Sequence, residues 1–298
     1  MTSVEATAGA IPRKSKVGSL ARQNLWALRG SYAALSVFVV IFLVPPFYMI
    51  MTSLKSSAEI SAQKGNPWFA QSPTLDNFIY LATNAQFQRY FFNSVWVTAL
   101  VVIVSMTIAI LAAFSLSRMG FKGSQVISTG VFLTYLVPPS LLFIPLFQIV
   151  GSLGLINNTW VLVLLFPTLA VPFCTWIMIG YFSSIPRELD EAALIDGASY
   201  PQILLKIFIP VAMPGIIAAT IFAFTVGWGA FLYPLAYLYS ADQAVLTVGI
   251  VRELIRGDVF AWGTIMAACV MAAAPPIIIY TFLMDYYVAG LTAGATKG

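Results

Sequence analysis

Histidine is absent from this chain, and only 9% of its 298 residues are charged. Without an imidazole there is no Ser-His-Asp nucleophile and no histidine-based zinc protease motif. No Gly-Lys dipeptide occurs, so a Walker-type phosphate loop cannot be built and the chain has no route to ATP hydrolysis through one. The two cysteines, Cys174 and Cys269, fall in separate apolar stretches and read as buried thiols, giving neither a disulfide framework nor a metal-ligand spacing. Charge is also missing from the apolar runs. None holds a Lys or Arg, and of eleven acidic residues only Asp285 touches one. Buried intramembrane charge is costly and is kept where ions or protons move, so its absence argues against a proton-coupled carrier and against intramembrane aspartyl chemistry. Sodium coupling through backbone carbonyls stays open, although broken helices in paired halves are not evident.

Apolar residues dominate what remains. Sixty per cent of the chain is hydrophobic, against roughly 45–50% in globular domains. Six runs suffice to cross a bilayer, which takes about 20 helical residues: Tyr32–Ser53, Ser94–Leu116, Val126–Val150, Trp160–Phe182, Val211–Leu238 and Trp262–Met284. The fifth is interrupted by Gly227, Gly229 and Pro234, so its end is expected to bend or leave the membrane. The first is too long for a signal-peptide core and reads as an uncleaved anchor. Ten basic residues fall with the termini and the even-numbered loops, and five on the opposite side. The richer side is expected to be cytoplasmic, so the net charge of +4 is a topology signal and does not suggest nucleic-acid binding. The expected fold is an all-α integral membrane protein with six transmembrane helices and both termini cytoplasmic. Its parts are a tail over 1–31, a transmembrane domain over 32–290 and a second tail over 291–298. Residues 1–30 suit either a membrane-surface helix or disorder, and Leu54–Asn93 either a small folded cap or a connector.

One polar island, Ser183–Pro210, interrupts this pattern. Pro186 suits a helix's first turn, and Glu188, Asp190 and Glu191 put negative charge at its positive end. Gly197 is a natural left-handed stop. Ser199 can cap a second short helix, with Pro201 in its first turn, that runs to Pro210. Ala192 and Ala193 would let a partner approach closely. From residues alone, the segment is a protein-docking knob.

The island resembles the EAA loop of permease subunits of bacterial ABC importers: Glu191, Ala192, Ala193, Gly197, Ile207 and Pro210 stand at the family's spacing, with Ile209 where the family has Leu. Further likeness lies in Asn93-Ser94, in Ala113-Phe-Ser-Leu-Ser-Arg118 with Phe121 and Gly123, and in Ile144-Pro-Leu-Phe147 followed by Leu153-Gly-Leu155 and Asn157. The tail Gly290–Gly298 is similar to that of the smaller permease subunit of maltose importers. The family often has Trp-Asn-acidic-Phe in the fifth span; here Trp228-Gly229-Ala230-Phe231 replaces it, so no substrate role is carried over to Gly229 or Ala230.

The resemblance implies an importer-type permease bundle in the bacterial inner membrane that forms a carbohydrate pathway and is not itself an enzyme. Implied partners are a second, related permease chain, two cytoplasmic ATPase subunits, an extracytoplasmic solute-binding protein and membrane lipid. No cofactor is expected in this chain, ATP and Mg²⁺ belonging to the ATPases. The coupling residues would be Glu191, Ala192, Ala193, Asp196, Gly197, Ile207 and Pro210. Loop Tyr239–Ala261 would meet the binding protein, and Leu291–Gly298 would approach the ATPases. For a sugar path, polar and aromatic side chains inside spans are candidates: Thr225 and Trp228 first, then Tyr135 and Gln148, with Thr134, Thr175 and Tyr233 behind. A self-contained channel with a regulatory loop is the alternative.

Ala219, Ala223 and Gly227, and likewise Ala268 and Ala272, recur every four residues and predict close helix packing. Pro138, Pro139 and Pro145, and Pro167 and Pro172, should kink the third and fourth spans or expose their carbonyls.

Overall fold

The computed structural model describes residues 17–62, 65–256 and 259–295. It falls into two units. The first, through Ile50, is carried by α1 (Val17–Ser53), which passes through Pro45 and Pro46 without interruption. Residues 17–31, read from sequence as a separate tail, are helical and continuous with the first span.

From Met51 onward the second unit begins with a small folded cap, which settles the choice left open for Leu54–Asn93. Short helices α2 (Ser57–Ser61) and α3 (Asp76–Thr83) are tied down by side chains. Lys55 is 5% exposed, and its ammonium donates to the carbonyls of Asn66 and Pro67 at 2.6 and 3.0 Å. Asn77 donates to the carbonyls of Ser53 and Lys55. A buried cation is tolerable only when its protons find acceptors, and here they do.

The spanning elements follow. α4 (Ala85–Arg118) starts earlier than the apolar run, capped by Asn84, whose side chain accepts from Phe87 N–H at 2.9 Å. The third span is corrected by the structure. Val126–Val150 is not one helix: α5 (Ser124–Tyr135) and α6 (Pro139–Ser152) meet at 95°, a sharper break than a proline kink. Pro138 and Pro139 bring no N–H to the helix ladder, and each disfavours helical backbone at the residue before it. α7 (Trp160–Ser184) runs unbroken through Pro167 and Pro172. The polar island folds as α8 (Arg187–Ile195), α9 (Tyr200–Ile203), a π-helical turn (Leu204–Phe208) and α10 (Ile209–Val211). The fifth span is α11 (Met213–Trp228) and, after a break at residues 229–231, α12 (Leu232–Tyr237), the interruption read from the glycines. A short 3-10 turn (Ala241–Gln243), α13 (Leu246–Leu254) and a two-residue antiparallel pair, β1 (Ile255–Arg256) with β2 (Val259–Phe260), lead to α14 (Trp262–Ala295). α14 extends beyond Met284 and through Ala295, so helix and expected C-terminal tail overlap. Among the described residues, five helices are long and apolar enough to cross a membrane, and six if the bent pair is one span. The fold is all-α.

In the second unit α4, α7 and α11 pack together at the centre. Ala109, Ala113, Ala170, Ala219 and Ala223 are fully buried between them. The close approach read from the small-residue repeat is there: Cys174 Sγ lies 3.4 Å from the Ala219 carbonyl, and a Cβ on Gly227 would fall 3.2 Å from Thr98 Cγ2. In lipid, where apolar burial gives little drive, such contact is what holds helices together.

The ends of α4 and α7 remote from α8 are stapled to the stretch 239–246. Asn93 Nδ2 donates to the carbonyls of Asp242 and Ala244 at 3.0 and 2.8 Å, and Ser94 Oγ accepts from Leu246 N–H at 2.8 Å. Asn157 Oδ1 accepts from the N–H groups of Tyr239 and Ser240, and Thr159 Oγ1 donates to the Gln243 carbonyl.

Candidate functional site

α8 is nine residues long, too short to hold its shape in water unaided. Two devices fix it. At its C-terminus Gly197 takes φ +81°, its N–H donates to the Leu194 carbonyl at 3.0 Å, and Ala198 N–H donates to the Ala193 carbonyl at 2.9 Å. This pair of bonds is a Schellman motif, which satisfies carbonyls that a helix end leaves open. Ala193 and Ala198 then pack on the core formed by Ala113, Phe114, Phe182 and Phe208. Ser199 opens the next helix as read from sequence, its N–H donating to Gln202 Oε1 at 2.8 Å.

The second device is Arg118, the last residue of α4. Its guanidinium lies 3.5 Å from Asp190 of α8 and donates to the carbonyl of Phe182 at 2.6 Å and to that of Ile185. It also sits over the Phe208 ring, 4.7 Å from the centroid. One side chain therefore joins the end of α4, the end of α7, α8 and the π-helical turn. The Arg118 side chain is 4% exposed and that of Asp190 17%. A planar cation at a helix C-terminus complements the open carbonyls there.

The candidate coupling residues separate into two sets. Glu191, Ala192, Asp196 and Gly197 are exposed on one knob, beside Leu194 and Ile195, the latter 86% exposed. Ala193 and Ile207 face inward against the core, while Pro210, the second residue of α10, is exposed like the first set. In the sequence Arg118 reads as a topology marker and a motif position. Its link to Asp190 is a long-range contact with no local signature.

The path candidates do not form one cluster. Thr225 and Trp228 both meet α14: Thr225 Oγ1 with Tyr280 Oη, and Trp228 Nε1 donating to the Ala272 carbonyl at 3.0 Å. Trp228 is 8% exposed, stacked on Phe224 and edge-on to Phe91. Thr175 is fully buried, and Tyr233 donates to the Pro139 carbonyl at 2.8 Å. Thr134 bonds the Val131 carbonyl of its own helix, and Gln148 is exposed on α6. Tyr135 belongs to an aromatic wall that sequence reasoning missed. Its ring lies 4.8 Å from Phe173, which stands 4.2 Å from Phe222, while Phe132 lies 5.0 Å from Trp176. Tyr135 and Trp176 remain 38% and 47% exposed. At the stapled end, a polar cavity of about 320 Å³ is lined by Asn93, Trp96, Asn158, Trp160 and Asp242 among others.

A multi-pass helical bundle with a structured polar knob between its fourth and fifth spans marks an integral membrane protein. Residues 105–292 match the family described as "binding-protein-dependent transport system inner membrane component". The chain is 34% identical over 268 residues to the sulfoquinovosyl glycerol transport system permease protein SmoH of Agrobacterium fabrum, covering 90% of this chain and 93% of that one. It is 32% identical to the trehalose/maltose transport system permease protein MalG of Thermococcus litoralis, over 88% and 94% of the two chains. In three dimensions it is similar to a bacterial ABC transporter involved in alginate import, with TM-score 0.78, 21% identity and coverage of 93% and 100%. A bacterial alginate ABC transporter in complex with alginate pentasaccharide-bound periplasmic protein matches with TM-score 0.66 and 18% identity, over 90% and 96%. The chain belongs to the inner membrane components of binding-protein-dependent transport systems: it is a multi-pass permease of the inner membrane.

Proposed function

We propose that this permease forms half of the pathway of an ABC importer for a carbohydrate (an oligosaccharide, glycoside or polyol), driven by ATPases docked on residues 187–197. The observation that carries the reading is the knob itself. A Schellman-capped helix is clamped rigidly to two spans while Glu191, Ala192, Leu194 and Ile195 face outward. An exposed apolar residue on a short, fixed, polar helix suits a groove in a partner protein. The chain has no phosphate loop of its own, so two separate ATPase subunits bind the ATP and Mg²⁺ and do the hydrolysis.

In this reading the knob and both termini are cytoplasmic, and the tail from Leu291 approaches the ATPases. Residues 296–298 of that tail lie outside the described residues. The loop Tyr239–Ala261, which begins with the stapled stretch and of which residues 257 and 258 lie outside the described residues, meets an extracytoplasmic binding protein, and a second, related permease chain completes the path. The carbohydrate class is supported by the sugars in the relatives' names and by the wall of Tyr135, Phe173, Trp176 and Phe222, whose ring faces suit the C–H faces of a sugar.

The test is co-purification of the full chain with its ATPase subunits and assay of sugar uptake in proteoliposomes. The Ile195→Asp variant is expected to fold normally, lose the ATPase subunits and abolish uptake. Undiminished association overturns the docking role, and sugar flux from this chain alone overturns the ABC importer reading in favour of a self-contained channel.

A further inference from the structure

We propose that α4 is the strut through which motion of the coupling knob reaches the opposite face of the bundle; this rests on the knob being the ATPase dock. Among the helices of the described residues that are long enough to span, α4 alone contains neither proline nor glycine. α1 carries Pro45 and Pro46, α7 Pro167 and Pro172, α11 Pro214 and Gly227, and α14 Pro275 and Pro276, while the α5–α6 pair is broken outright. Prolines and glycines are where helices bend, because the first removes a ladder bond and the second frees the backbone. α4 keeps its ladder over 34 residues, about 50 Å at about 1.5 Å each. That exceeds a hydrocarbon core of about 30 Å, so both ends of α4 emerge.

The helix is clamped by polar bonds at Arg118, its last residue, and at Asn93 and Ser94, about two turns inside its other end. Arg118 holds the Asp190 carboxylate and the two carbonyls at the end of α7. Toward the other end Asn93 and Ser94 hold the backbone of residues 242–246. α7 leads directly into the knob, yet two ladder bonds are missing from it at its prolines. The stiff route between the faces is therefore α4. A displacement of α8 pulls on Arg118, and the intact helix delivers it to the stretch proposed to meet the binding protein.

The test uses the full importer complex in nanodiscs, with Cys174 and Cys269 replaced by alanine. An environment-sensitive fluorophore is placed at Leu194→Cys on the knob or Ala241→Cys at the stapled end, and a non-hydrolysable ATP analogue with Mg²⁺ is added. Ile103→Gly with Leu111→Gly softens α4 at two side chains that are 60% and 56% exposed, leaving both clamps in place. Both labels are expected to respond in the parent. In the softened chain the label at 194 keeps its response while that at 241 falls roughly threefold or more, within the roughly 2- to 30-fold range of measured couplings. Asn93→Ala with Ser94→Ala, which opens the far clamp and adds no glycine to the helix, gives the same outcome and serves should the double-glycine chain not fold. A full response at 241 in these variants, or none there in the parent, overturns the strut alone. Silence at 194 in the parent overturns the docking reading and the strut with it.

Discussion

Gly249 of α13 lies against the ring of Tyr90 of α4, so close that a Cβ at position 249 would fall 2.2 Å from Tyr90 Cδ2. Tyr90 is 1% exposed and has no room to retreat. Gly249→Ala is expected to destabilise the chain by about 1–3 kcal/mol, the cost of overpacking a dense core. Gly130→Ala is the control, since a Cβ there meets nothing within 4 Å. Thermal unfolding in detergent should show a clear drop for the first and none for the second.

Arg118 should tolerate no replacement fully. Arg118→Ala leaves Asp190 and two carbonyls without their partner and is expected to cost about 3 kcal/mol, the lower end for a broken buried pair. Arg118→Lys keeps the charge but loses the planar fork, so it should recover part of that loss. The same unfolding assay, with co-purification of ATPase subunits as a second readout, ranks the three chains. Equal stability of the alanine variant and the parent would remove the clamp.

At Gly197 the surrounding space is open and only the backbone objects to a side chain. Asparagine tolerates the left-handed region and a β-branched residue does not. Gly197→Val should therefore destabilise the knob by about 1–2 kcal/mol, raising hydrogen exchange at residues 192–198, while Gly197→Asn stays near the parent. Exchange unaffected by valine contradicts the Schellman assignment.

Trp228→Phe separates packing from transport. The variant keeps most of the stacking on Phe224 but loses the indole donor to Ala272. The expected outcome is a loss of about 0.5–1.5 kcal/mol with the uptake KM for sugar unchanged. A shifted KM at parental stability would instead place Trp228 in the path.

What could be read beforehand follows the range of the interactions. Gly197, Ser199 and the run before them act within a few residues, so the knob was legible as a turn between two helices. Apolar length gave the spans for the same reason. Helix faces were not legible, because a spanning helix is apolar all round and periodicity cannot say that Trp228 turns toward α14. The break at Pro138–Pro139 illustrates a second limit. The dipeptide recurs at Pro45–Pro46 and Pro275–Pro276 inside continuous helices, so two prolines permit an elbow without forcing one. Here Tyr233 and Tyr237 of α12 donate to the carbonyls of Pro139 and Phe143 and hold α6 in place. Those partners lie almost a hundred residues away along the chain.

The elbow has an environmental consequence. Pro139 has no N–H to offer the Tyr135 carbonyl, and acyl chains contain no donor that would replace it. Turning the bend at residues 136–138 toward oil is therefore costly. A border that is wet, or another polypeptide with a proton to share, removes that cost.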